Sequence, residues 1–171
     1  MLTIAKLESS DIESVKRIEL ADEQIKFAVT AEQFLQDNST SMHRHVIKLN
    51  DNVIGFFKLD VNYSNTYDFC PNSALGLRTF VIDNRRQGQG LGTKAVKALT
   101  AYVKAHYTHY SEIYLTVNCQ NPAAQSCYLK AGFKTLEALY LGGSAGAQYI
   151  MRKSVSNSHK KADGNTAIGF V

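Results

Sequence analysis

Cysteine is scarce in this 171-residue chain and poorly spaced for structural chemistry. Cys70, Cys119 and Cys127 are odd in number, with neither CxxC spacing nor a companion set of histidines. That pattern excludes a disulfide framework and a zinc site, and it fits thiols kept reduced. No apolar run approaches the ~18 residues of a membrane span, and residues 1–6 lack the long apolar stretch of a secretory signal. The expectation is a cytoplasmic protein without a membrane partner. Positive charge is also badly distributed for a nucleic-acid partner. Arg152, Lys153, Lys160 and Lys161 face the single acid Asp163 over residues 152–171, so most of the net +4 sits at that end and the body is nearly neutral. Duplex binding needs a basic face with several phosphate contacts, and none is visible. What the chain does have is apolar surface, 44% of its residues, enough for one core. The expected organisation is one α/β domain over residues 1–153 and a polar basic tail over 154–171.

Local signals order the elements. Leu2 and Ile4 begin a strand, and Ser10 with Glu13 offers a reciprocal capping box to a helix bearing Ile12, Val15, Ile18 and Leu20. Thr30 and Gln33 repeat that logic before a second short helix. Residues 45–49 and 53–61 are rich in β-branched and aromatic side chains around Asn50-Asp51-Asn52, which reads as a hairpin. Residues 62–72, with Tyr63, Tyr67 and Asp68, show no period and read as a loop over a site. A strand over 75–82, covered on both faces, leads through a glycine loop into a helix on which Leu91, Ala95, Leu99 and Tyr102 recur. After a strand over 113–117, Asn121-Pro122 supplies an N-cap and a first-turn proline, and Gly132 ends that helix. Residues 133–139 and 148–151 form a closing antiparallel pair around Gly142, Gly143 and Gly146.

The chemistry lies in Gln87-Gly88-Gln89-Gly90-Leu91-Gly92. A strand-to-helix junction presents unsatisfied N–H groups and the positive end of a helix dipole, and glycines let an anion approach the backbone closely. An ordinary flexible turn is the bland alternative, disfavoured by three alternating glycines at such a junction. The spacing is not that of a dinucleotide fingerprint, which needs GxGxxG. Nor is it a P-loop, because Gly92-Thr93-Lys94 lacks the glycine five residues earlier.

Gln87, Gly90 and Gly92 match the pattern Gln or Arg, two residues, Gly, one residue, Gly or Ala, and so resemble the acetyl-coenzyme-A loop of the GNAT acetyltransferase superfamily. Arg85, Gly88 and Gly90 also fit, but the strand Thr79-Phe80-Val81-Ile82 places the loop better in the first register. A second family block follows in Leu115-Thr116-Val117, Asn121, Ala124, Tyr128 and Gly132-Phe133. The resemblance implies a mixed, mostly antiparallel sheet flanked by helices and acetyl-coenzyme A as co-substrate, with no metal. It also implies pyrophosphate on backbone N–H groups from Gln87 to Thr93, through Gly88, Gln89, Gly90, Leu91 and Gly92, and a pantetheine arm along Phe80, Val81 and Ile82. Asn121 would touch that arm, a role compatible with simple helix capping. Tyr128, seven residues on and so on nearly the same helical face, would be the general acid for the departing thiolate. Core packing is the alternative for such a tyrosine.

A base is harder to find. An amine of pKa ~10.4 must lose a proton, which costs about 4.6 kcal/mol at pH 7, and residues 74–82 contain no acid. A water relay, Asp60 and Asp68 all stay open. The stretches 21–27 and 77–83 resemble the polyamine (spermine/spermidine) branch, which implies that Glu19, Asp22 and Glu23 receive a cationic amine. A solvated acidic helix end is the competing reading. The leading expectation is acetyl transfer to a small amine or polyamine. Transfer to a protein lysine or N-terminus is the second, and a non-catalytic coenzyme-A-binding regulatory module is the third; a homodimer is compatible with each.

Overall fold

The computed structural model describes residues 1–25, 27 and 29–155. The expected tail therefore lies outside the described residues from 156 onward. Seven strands form one sheet in the order β1-β2-β3-β4-β5-β7-β6. They are β1 (Leu2–Lys6), β2 (Met42–Leu49), β3 (Asn52–Asp60), β4 (Ala74–Ile82), β5 (Glu112–Asn118), β6 (Lys134–Tyr140) and β7 (Gln148–Ser154). Among the described residues only β4 and β5 pair in parallel; every other neighbour pair is antiparallel. The helices are α1 (Ile12–Lys16), α2 (Ala31–Gln36), α3 (Tyr63–Thr66), α4 (Leu91–His106) and α5 (Pro122–Lys130). The architecture is the mixed, mostly antiparallel α/β sheet expected.

Alternation along the strands feeds two cores. Val46, Phe56 and Val81 turn to one face and pack with Val15, Ile18 and Phe34 of the N-terminal segment, Phe34 stacking on Phe56 at 4.3 Å between ring centres. Ile47, Phe57, Leu75 and Leu77 turn to the other face, against Leu91, Ala95, Leu99 and Val103 of α4. Helix α4 thus buries the stripe that its 3.6-residue period drew in the sequence.

Three local expectations change. The first capping box joins Glu8 and Asp11, not Ser10 and Glu13: the Asp11 carboxylate accepts from the Glu8 N–H at 2.9 Å and opens a 3₁₀ turn. Helix α1 also stops at Lys16, short of Ile18 and Leu20. Its end tightens into i→i−3 bonds, from the Arg17 N–H to Ser14 O and from the Ile18 N–H to Val15 O, and the chain beyond is tied to the loop after β4, Arg17 O accepting from the Arg85 guanidinium (2.8 Å) and Glu19 O from the Asn84 N–H (2.7 Å). Bonds from the loop after β4 have replaced the next helical turn. Third, the expected loop over residues 62–72 contains α3, whose Tyr63 carbonyl accepts from the Tyr67 N–H. The Thr30/Gln33 box is present as read.

Candidate active site

The parallel strands β4 and β5 pair only from Ala74 to Gly76, opposite Glu112 to Tyr114, and then part. Just beyond, β4 is itself irregular. Its pairing with β3 shifts register between Phe56 and Lys58, and Thr79, opposite the shift, has φ 57°. A left-handed, β-branched residue inside a strand is a local distortion that only the surrounding packing can hold. The gap opens into a cavity of about 670 Å³. Its floor is Tyr63, which lies so close over Gly76 that a Cβ there would be 2.1 Å from the ring. Thr116, across on β5, lines the same cavity.

One end of the cavity is the glycine loop. Gly88 and Gly90 have φ 81° and 72°, conformations that L side chains rarely adopt, and added Cβ atoms there would meet nothing within 4 Å. The space beside them is open to a ligand. Gly90 is the N-cap of the 16-residue α4, and the first bond back to it comes from Lys94 at 3.3 Å, so the N–H groups of Leu91, Gly92 and Thr93 lack intrahelical partners. Gly92 has a different duty, since a Cβ there would stand 2.9 Å from the Cys127 sulfur where α4 meets α5. The loop is braced by Gln87, whose amide donates to Ile82 O and Gln24 Oε1, both at 3.1 Å. Arg85 is engaged with Asp83 at 2.8 Å and does not line the cavity, whereas Gln87, Gly90 and Gly92 do. Burial works to raise the Asp83 carboxyl, but hydrogen bonds and charge from Arg85 hold it below its ordinary value. These contacts fit an anion of pyrophosphate size at the α4 start.

Most of the residues singled out in the sequence meet in this cavity. Phe80 and Ile82 line it, as do Gly88, Leu91, Thr93, Asn121 and Tyr128. Val81 points the other way, into the core under α1 and α2, and Gln89 is exposed. Asn121 caps α5, its Oδ1 accepting from the Ala124 N–H at 3.4 Å. Tyr128 is 7% exposed, edge-on to Phe80 at 6.0 Å. Burial first, then the neighbouring Cys127 and Tyr63, push its phenol well above the usual tyrosine range.

Other residues fall elsewhere. Glu19 and Asp22 are exposed and off the cavity wall, with Asp22 and Glu23 in a short 3₁₀ turn ending at Gln24. Asp60 is buried against Arg78 at 3.2 Å and also accepts from the Asn62 N–H, while Asp68 is exposed. Among the described residues no Asp, Glu or His lines the cavity, and no group of three or more His, Cys, Asp or Glu could hold a metal ion. Sequence reasoning missed Arg78, the Thr79 kink and the 143–148 segment, which supplies Gly143, Ser144 and Gln148 to the wall. No local signal marked them.

The model of the acetyltransferase (GNAT) family matches residues 6–133. An uncharacterized N-acetyltransferase of Bacillus subtilis (strain 168), YbbJ, is 33% identical over 89 residues, which cover 52% of this chain and 56% of that protein. The match thus spans about half the length of that curated relative. Among solved structures, AAC(6')-Ib in complex with parmomycin and acetyl-CoA aligns with a TM-score of 0.72 at 19% identity, over 90% of this chain and 93% of that one. Spermidine N-acetyltransferase from Vibrio cholerae, in complex with CoA and spermine, aligns at 0.64 and 19% identity, over 90% and 95%. At these identities the likeness to the solved structures is one of fold.

Proposed function

Because the chain belongs to the acetyltransferase (GNAT) family, we propose that it is an N-acetyltransferase using acetyl-coenzyme A as co-substrate and a small primary amine as acceptor. The observation that carries the reading is a single cavity holding both the left-handed glycines at the start of α4 and the buried phenol of Tyr128. Bound acetyl-coenzyme A supplies an electrophilic thioester carbonyl with a thiolate leaving group. The free N–H groups of residues 91–93 receive the pyrophosphate. Beyond Gly76, the β4 edge released by β5 offers its backbone groups to the amide-bearing arm as a further strand would. Asn121 borders the same space.

In the transfer, the amine nitrogen bonds to the carbonyl carbon and the carbon–sulfur bond breaks. The nitrogen gives up one proton and the sulfur takes one. Tyr128, kept protonated by burial, donates to the sulfur as negative charge grows there. With no carboxylate or imidazole among the described cavity residues, the amine proton leaves through water at the mouth. The polyamine form of the reading rests on Glu19, Asp22 and Glu23; since Glu19 and Asp22 stand outside the wall, a small primary amine is the acceptor proposed. Thermal melting tests the assignment. Coenzyme A or acetyl-coenzyme A at 100 times its dissociation constant should stabilise the protein by about 2.7 kcal/mol, and NAD or ATP far less. No shift at millimolar coenzyme A would sink the reading.

A further inference from the structure

Building on the acetyltransferase reading, we infer that the acceptor amine also carries a carboxylate, and that Arg78 is the group that receives it. The kink at Thr79 breaks the alternation of β4, so that Leu77, Arg78, Thr79 and Phe80 all border the cavity in succession. Phe80 and Ile82 lie on the glycine-loop side of the kink, where the coenzyme is proposed to bind; Arg78 lies on the other, which leaves its side for the acceptor. Its guanidinium sits over the rings of Tyr63 and Tyr67, 5.9 and 5.7 Å from their centres. Tyr63 and Tyr128 line the same cavity as Arg78, so the guanidinium and the phenol proposed as acid open into one space.

The guanidinium is fixed at one end and available at the other. Nη1 donates to Asp60 at 3.2 Å, and Asp60, 1% exposed, is held from behind by the Asn62 N–H. Among the described residues, Nε and Nη2 have no protein acceptor, and the side chain is 34% exposed. A planar fork with free donors, anchored by a buried acid and held within cation–π reach of two rings, is preorganised for a second carboxylate. The charges agree. The formal charges on the described wall are Arg78 and Lys130, both positive. A polycation finds no counter-charge there, while the carboxylate of an amino acid does.

The test uses matched pairs: ω-amino acids of two to six carbons, their amides, and spermidine, assayed by thiol release from acetyl-coenzyme A. Binding of coenzyme A is measured separately by thermal shift. The acid of the fitting length should exceed its amide by about tenfold or more in kcat/KM. Arg78→Lys keeps a charge beside buried Asp60 but loses the fork, and should raise KM for the acid about tenfold with a smaller change in kcat. Combining Arg78→Gln with Asp60→Asn leaves no buried charge unpaired and should erase the preference for acid over amide. Amides or spermidine turning over faster than every acid would overturn the inference. So would a preference that survives in the double variant, or coenzyme binding without turnover of any acid. Absence of a coenzyme-dependent shift would overturn the acetyltransferase reading itself, and this inference with it.

Discussion

Two side-chain changes separate binding from chemistry. Tyr128→Phe keeps the ring edge-on to Phe80 and removes only the hydroxyl, so packing survives. If that hydroxyl donates to the leaving sulfur, kcat should fall about 10²–10⁴-fold with little change in coenzyme dissociation constant. Steady-state kinetics beside a binding titration reads both, and a kcat drop below threefold would exclude the role. Gly90→Asp acts on the other half of the site. A carboxylate there would stand in the open space beside the α4 N-terminus, where the anion is proposed to bind, at a φ of 72° that already disfavours a side chain. The coenzyme-dependent melting shift should vanish in a protein that remains folded; an unchanged affinity would move the phosphate site elsewhere.

The decisive element is the divergence of β4 and β5, and Gly76 and Tyr63 stand where it begins. Because a Cβ at Gly76 would overlap the Tyr63 ring, Gly76→Ala must displace that ring. Overpacking of this kind costs about 1–3 kcal/mol, read from urea midpoints. In a Tyr63→Ala background the same change should cost much less, and additivity of the two would show that the contact does not matter. On α4, Leu99 is fully buried under the sheet, so Leu99→Ala should lose about 2–5 kcal/mol. Helix α4 and the cap of α5 were legible in the sequence, because periodicity, Gly90 and Asn121-Pro122 are short-range signals. The shortening of α1 was not, because the groups that hold the chain just past it, Asn84 and Arg85, lie some 65 residues away along the chain, and only folding brings them near.

At the scale of the molecule, His45 ties pH to stability. It is fully buried, stacked on Phe57 and edge-on to Tyr102, with Nδ1 donating to His43 O and Nε2 without a partner among the described residues. Burial, with Lys6, His43 and His106 nearby, lowers its pKa from 6.5 to about 4. The folded state therefore binds this proton more weakly than the unfolded one. Its stabilising effect is complete above pH 6.5 and is lost as pH falls toward 4, by about 3 kcal/mol in all. Unfolding free energies at pH 7 and 4.5 should differ less in His45→Leu than in the native protein; an equal difference would remove His45 as the cause.

The sequence by itself determined the order of the seven strands and of α4 and α5, the glycine loop, the Asn121 cap and the placement of Tyr128 on the same side of α5, because each is written within a few residues as a period, a cap or a need for positive φ. Only the tertiary structure decided that β4 kinks at Thr79 and parts from β5, that Tyr63 and Arg78 border the cavity, and that Asp60 is paired away from it. Those outcomes depend on contacts between distant segments, Tyr63 on Gly76 and Asp60 on Arg78, whose energies arise only once the sheet has assembled.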